Sequence, residues 1–92
     1  MSARSATLRL DERRIDWRSV DDEIVALDLA EGVYLSLNRA GGLLWKELAH
    51  GTTRQSLVAK LGDYGAIPTD RAAADVDAFI ETLDRRDLLL RS

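Results

Sequence analysis

The 92-residue chain has no cysteine, which excludes disulfide, thiolate and zinc–thiolate chemistry. Its one histidine, His50, has no second histidine or carboxylate at a useful spacing, so a metal site or a nucleophile–base pair has little to build on. Long apolar runs are missing as well. The longest, such as Ile24–Leu27 and Leu88–Leu90, are a few residues each, whereas a membrane-crossing helix needs about 20. The first seven residues contain no apolar signal-peptide region. The expected location is cytoplasmic. Positive charge is also short: the formal net charge is −3, which argues against nucleic acid or an anionic membrane as the main partner. Gly41-Gly42 is followed by no Lys-Ser/Thr pair and is not a phosphate loop. These absences together predict a non-catalytic chain with no cofactor and no metal.

What is present fits one domain, with a modest core burying ~60–65% of the unfolded surface. Residues 1–6 are expected to fray. Thr7–Leu10 alternates as a short first strand, and Ile15, Trp17 and Val20 extend along one edge, with Trp17 as a packing anchor. The stretch Asp22–Asn38 reads as a hairpin. Val25, Leu27 and Leu29 alternate on one strand and Val33, Leu35 and Leu37 on the other. Joining the two triplets on one face pairs Leu29 with Val33, Leu27 with Leu35 and Val25 with Leu37. The loop is then Ala30-Glu31-Gly32, with Gly32 in the left-handed position. Val33, Leu35 and Leu37 would bond inward, leaving the backbone groups of Tyr34 and Ser36 facing outward.

The period then changes to helical. Asn38 is a suitable N-cap for a helix carrying Ala40, Leu43, Leu44 and Leu48, which ends at Gly51. Gly41-Gly42 weakens its first turn, with close approach of another backbone as the expected reason and a flexible hinge as the alternative. Thr52 and Gln55 form a capping box for a second helix with Leu57, Val58 and Leu61 buried and Gly62 as its stop. Thr69 caps the third and longest helix, where Val76, Phe79, Ile80 and Leu83 form the apolar stripe and Arg85 and Arg86 suit the negative end. Leu88–Leu90 packs back as a tail or a last short strand. The expected fold is α+β and winged helix-turn-helix-like, a short three-stranded antiparallel sheet followed by three helices.

Such folds often bind DNA through the last helix. Here Thr69–Asp84 carries Asp70, Asp75, Asp77, Glu81 and Asp84 against Arg71 alone, the wrong sign for phosphate. The other use of the fold is an open strand edge that accepts an extended peptide. Val33–Leu37 is such an edge, with no Lys or Pro to block pairing. Coverage by the chain's own tail, or self-pairing of this edge in a structural dimer, is the competing reading.

Trp17-Arg18, Val20–Glu23, Leu27-Asp28-Leu29, Gly32, Tyr34, Leu37-Asn38, Gly41, Leu44-Trp45, Leu48, Gly51, Thr53, Asp75-Val76, Phe79 and Leu83 resemble the PqqD-like family across residues 17–90. These are the RiPP recognition elements, which bind the leader of a ribosomally made precursor peptide. The resemblance implies that the leader adds as a strand to Val33–Leu37 (Val33, Tyr34, Leu35, Ser36, Leu37). The groove would be walled by Asp75, Val76, Asp77, Phe79, Ile80 and Leu83. It also implies a partner maturation enzyme, either a radical maturase or a leader peptidase, and the Ala-, Arg-, Leu- and Asp-rich composition favours the lasso-peptide type. Two departures from the family pattern stand out: Ala40 where Thr is common, and Asp87 where Gly usually precedes the terminal leucines.

Overall fold

A computed structural model describes residues 7–21 and 23–92. The expectation of frayed residues 1–6, and Asp22 at the start of the hairpin stretch, lie outside the described residues. The elements run β1 (Leu8–Leu10), β2 (Ile15–Val20), β3 (Glu23–Asp28), β4 (Val33–Leu37), α1 (Arg39–His50), α2 (Arg54–Gly65), α3 (Thr69–Arg85) and β5 (Leu89–Arg91). The α+β, winged-helix-like architecture is as expected: an antiparallel sheet ordered β2-β3-β4 leads into three helices. β1 and β5 pair with each other as a separate two-stranded sheet. No helix among the described residues is long and apolar enough to cross a membrane.

The register of the β3–β4 hairpin differs from the sequence reading by one residue. Asp28 pairs with Val33, Ala26 with Leu35 and Ile24 with Leu37, so the loop is the four residues Leu29–Gly32. The reason is Asp28. Its Oδ1 accepts the backbone N–H of Ala30 at 3.0 Å and of Glu31 at 3.2 Å, while its carbonyl accepts the N–H of Gly32 at 2.7 Å. A side chain that holds its own loop in this way fixes where the strand ends. Gly32 takes the left-handed conformation (φ 69°) as expected. Ile24, Ala26 and Asp28 therefore face the core, Val25 and Leu27 lie on the outer face, and Leu29 is exposed.

The core joins that sheet face to three helical stripes: Leu44, Trp45 and Leu48 on α1, Leu57, Val58 and Leu61 on α2, and Ala72, Val76, Ile80 and Leu83 on α3. Trp45 is fully buried, and Trp17 meets it edge-on with ring centroids 6.2 Å apart, so Trp17 is a packing residue. Asn38 caps α1, its side chain accepting the N–H of Gly41 at 2.9 Å. Gly41 faces side-chain atoms of Leu37 and Asn38, not another backbone. His50 donates from Nδ1 to the Lys46 carbonyl at 2.9 Å, a use of the last turn's free acceptors. The cap of α2 is Thr53, which accepts from the N–H of Ser56. Thr52 is unavailable for the expected capping box, because its backbone N–H and C=O are both bonded to Leu8. α2 continues past Gly62 to Gly65, and α3 begins after Pro68 with no side-chain cap, so Thr69 is its first residue.

α3 ends in a tight left-handed turn. The N–H of Leu88 bonds the Leu83 carbonyl at 3.1 Å and that of Asp87 bonds the Asp84 carbonyl at 2.9 Å, with Asp87 at φ 58°. This is a Schellman closure, and buried Leu83 and Leu88 occupy the two positions whose apolar contact usually accompanies it. Asp takes the Gly conformation, so the path of the chain is kept at the cost of strain. Asp87→Gly should raise stability by roughly 0.5–1 kcal/mol in a denaturant titration, glycine's extra freedom in the unfolded chain offsetting part of the relief. Beside this turn the Arg91 guanidinium donates to both Asp84 oxygens at 2.8 and 2.6 Å, holding that carboxyl below its usual 3.8. The pair's stabilisation is thus complete above the ordinary carboxylate range and lost as pH falls through the depressed value. Amide exchange in β5 should accelerate in acid before that of α1, and Arg91→Gln should remove the difference.

Candidate functional site

β4 has one neighbour in the sheet, so its other edge is open among the described residues. Which backbone groups it offers follows from the alternation of an antiparallel ladder. The N–H of Leu29 bonds the Arg14 carbonyl at 2.9 Å, which directs the groups of Leu27 and Val25 toward β2. Asp28, Ala26 and Ile24 then direct theirs to β4, in agreement with the Asp28 carbonyl that receives Gly32. Val33, Leu35 and Leu37 are the inward-bonded residues of β4, and the N–H and C=O groups of Tyr34 and Ser36 face the open edge. Around that edge Tyr34 is 70% and Val33 39% exposed, while Leu35 and Leu37 are half-buried against the core.

The expected α3 residues separate into three groups at helical spacing. Val76, Ile80 and Leu83 are core, with Val76 completely buried, and present almost no surface to a ligand. Asp77 lies on the flank toward α2, where both its oxygens accept from Arg54 at 2.6 and 2.9 Å. That guanidinium keeps the Asp77 carboxyl below its ordinary range. Asp75 and Phe79 occupy the opposite flank together with Thr82 and Arg86. The position of that flank is fixed by Arg86, whose Nη1 lies 3.4 Å from Asp28 Oδ2 and 3.9 Å from Glu31 Oε1, both of the β3–β4 hairpin. Phe79 is half-buried and Asp75 exposed. Sequence reasoning placed Arg86 only at the helix's negative end and missed this tie. The one available signal was a carboxylate, Asp28, set within an apolar strand.

The arrangement is thus an unpaired strand edge with half-exposed Leu35 and Leu37 on it, and half-buried Phe79 on the α3 flank that Arg86 ties to the β3–β4 hairpin. It provides backbone hydrogen bonds and apolar contact. Residues 23–89 match the sequence profile of coenzyme PQQ synthesis protein D (PqqD). The chain belongs to the PqqD family. Among solved structures this PqqD-family chain is similar to TbiB1, described in complex with the TbiA(β) leader peptide. The TM-score is 0.80 and the identity 23%, with 88% of this chain and 93% of TbiB1 covered. At that identity the likeness establishes the fold. No curated protein sequence matches this PqqD-family chain.

Proposed function

We propose that this domain is a non-catalytic adaptor that binds the leader region of a ribosomally synthesised precursor peptide and presents it to a maturation enzyme. The observation that carries this reading is the open edge of β4, with the Tyr34 and Ser36 backbone groups unpaired beside half-exposed Leu35, Leu37 and Phe79. The leader adds as a further antiparallel or parallel strand to Val33–Leu37, and Asp75, Phe79 and Thr82 line its other side. Val76, Ile80 and Leu83 support that wall from behind, and Asp77 is held away by Arg54. Membership of the PqqD family and the fold shared with a protein solved with a leader peptide both support the choice of ligand. The partner enzyme is a leader peptidase of lasso-peptide type, the radical maturase of a cofactor pathway being the other candidate. The setting is cytoplasmic, where precursors leave the ribosome, and no cofactor enters the reading.

The test is calorimetric titration with a synthetic leader of the precursor encoded beside this gene, followed by amide shifts in the NMR spectrum. Saturable binding with the largest shifts at Tyr34 and Ser36 is expected. Shifts confined to other elements would refute the edge, and turnover of the full precursor by the isolated domain would refute the adaptor role.

A further inference from the structure

The three-stranded sheet has a second open edge, on β2. Ladder alternation assigns the backbone groups of Asp16, Arg18 and Val20 to β3, leaving those of Ile15, Trp17 and Ser19 pointing away from the sheet. Among the described residues no backbone hydrogen bond reaches these three from elsewhere. Natural edge strands are usually protected by Pro, Lys or a bulge. β2 has none of these: its six residues pair with β3 in unbroken register. Its charges are Asp16 and Arg18, both exposed and both without an ion-pair partner among the described residues. They stand symmetrically about Trp17.

That symmetry has a specific complement. We infer that β2 pairs antiparallel with β2 of a second copy of this chain about a two-fold axis at Trp17. In this register the Trp17 residues of the two copies exchange both backbone hydrogen bonds, and Ile15 does the same with the second copy's Ser19. Asp16 then lies directly opposite the second copy's Arg18, and Arg18 opposite its Asp16, so one strand pairing forms two cross-strand ion pairs on the outer face. Shifting the register by two residues in either direction loses both. Beside them Val20 (49% exposed) lies on that outer face at the end of the paired strand. The product is a continuous six-stranded sheet with β4 at each end, so both β4 edges stay open and the dimer takes two extended peptides. One strand pair is a small interface, and the association is weak and concentration-dependent.

Sedimentation velocity from micromolar to millimolar protein should show a monomer–dimer equilibrium. Arg18→Asp places two acids opposite two acids, and Asp16→Arg places two bases opposite two bases. Each variant alone should dimerise roughly tenfold more weakly than the parent. Mixed one to one, they should form a heterodimer at least as tight as the parent dimer, because every like pair becomes an opposite pair. Leader titration reads the β4 edge independently, and both variants should bind the peptide as the parent does. A chain that stays monomeric throughout overturns the inference. So does a mixture no tighter than its components, or a dimer that Ser36→Pro abolishes and the charge variants leave intact.

Discussion

Replacing Asp28 by Ala should cost the domain about 2–4 kcal/mol, a fall in Tm of roughly 10–20 °C for a chain of this size. The side chain is completely buried, and three groups depend on it. It accepts the backbone N–H groups of Ala30 and Glu31 and faces the Arg86 guanidinium at 3.4 Å. Removing a charged acceptor that serves two backbone donors and a guanidinium costs more than breaking a neutral pair, although Ala30 and Glu31 themselves lie in the exposed loop. Arg86 keeps some access to solvent and retains Glu31 at 3.9 Å, which holds the loss below that of a fully buried pair. Asp28→Asn retains an oxygen for the loop and should cost clearly less. A double-mutant cycle with Arg86→Met measures the ion-pair part separately. If Asp28→Ala costs under about 1 kcal/mol, the carboxylate does not set the hairpin register.

The second large effect separates two adjacent residues of β4. Proline removes one N–H and fixes φ near −65°. At Leu35 the lost donor faces Ala26 within the sheet, so Leu35→Pro should break the ladder, destabilise the domain by about 3 kcal/mol or more, and lower peptide binding by unfolding. At Ser36 the lost donor faces the open edge. Ser36→Pro should melt within a few degrees of the parent yet bind the leader at least tenfold more weakly, since an added strand loses one bond and meets the ring. Thermal melts and titrations on both variants decide the point. A Ser36→Pro domain that binds the leader as tightly as the parent would mean that the peptide does not use β4.

The assignment of inward and outward residues on β4 survived an error in the register, and the reason is physical. Both registers close the loop at Val33, so the parity along Val33–Leu37 is the same whichever residue of β3 lies opposite. The error arose because β3 is apolar on both faces. Val25, Leu27 and Leu29 outscore Ile24, Ala26 and Asp28 for hydrophobicity, and a periodicity argument takes the wrong set. The buried acid that decides the matter is stabilised by Arg86, 58 positions later. Distance in sequence also hid the other differences. Thr52 looks like a cap until Leu8 bonds its backbone, and Asp77 looks like a groove residue until Arg54 takes both its oxygens. Local signals carried further: the Asn38 cap, the Gly32 turn and the Gly51 stop are all where their chemistry puts them. The core stripe of α3 was legible too. Its division into core and two flanks was not, because that depends on which neighbours pack on each side.

The small β1–β5 sheet brings the two ends of the fold together, with Thr7 and Ser92 each donating a backbone N–H to the other's carbonyl at 3.1 Å. Cross-strand neighbours in such a ladder have Cα atoms only about 5 Å apart. A tether of a few residues in place of residues 1–6 would therefore join Ser92 to Thr7 with little loop-closure cost. Exposed Ala66, between α2 and α3, is a suitable place to reopen the chain. The same geometry suits the domain to insertion within a surface loop of a host enzyme. Entry and exit strands a single ladder spacing apart would leave the host's own fold almost undisturbed and hold β4 at a fixed distance from its active site.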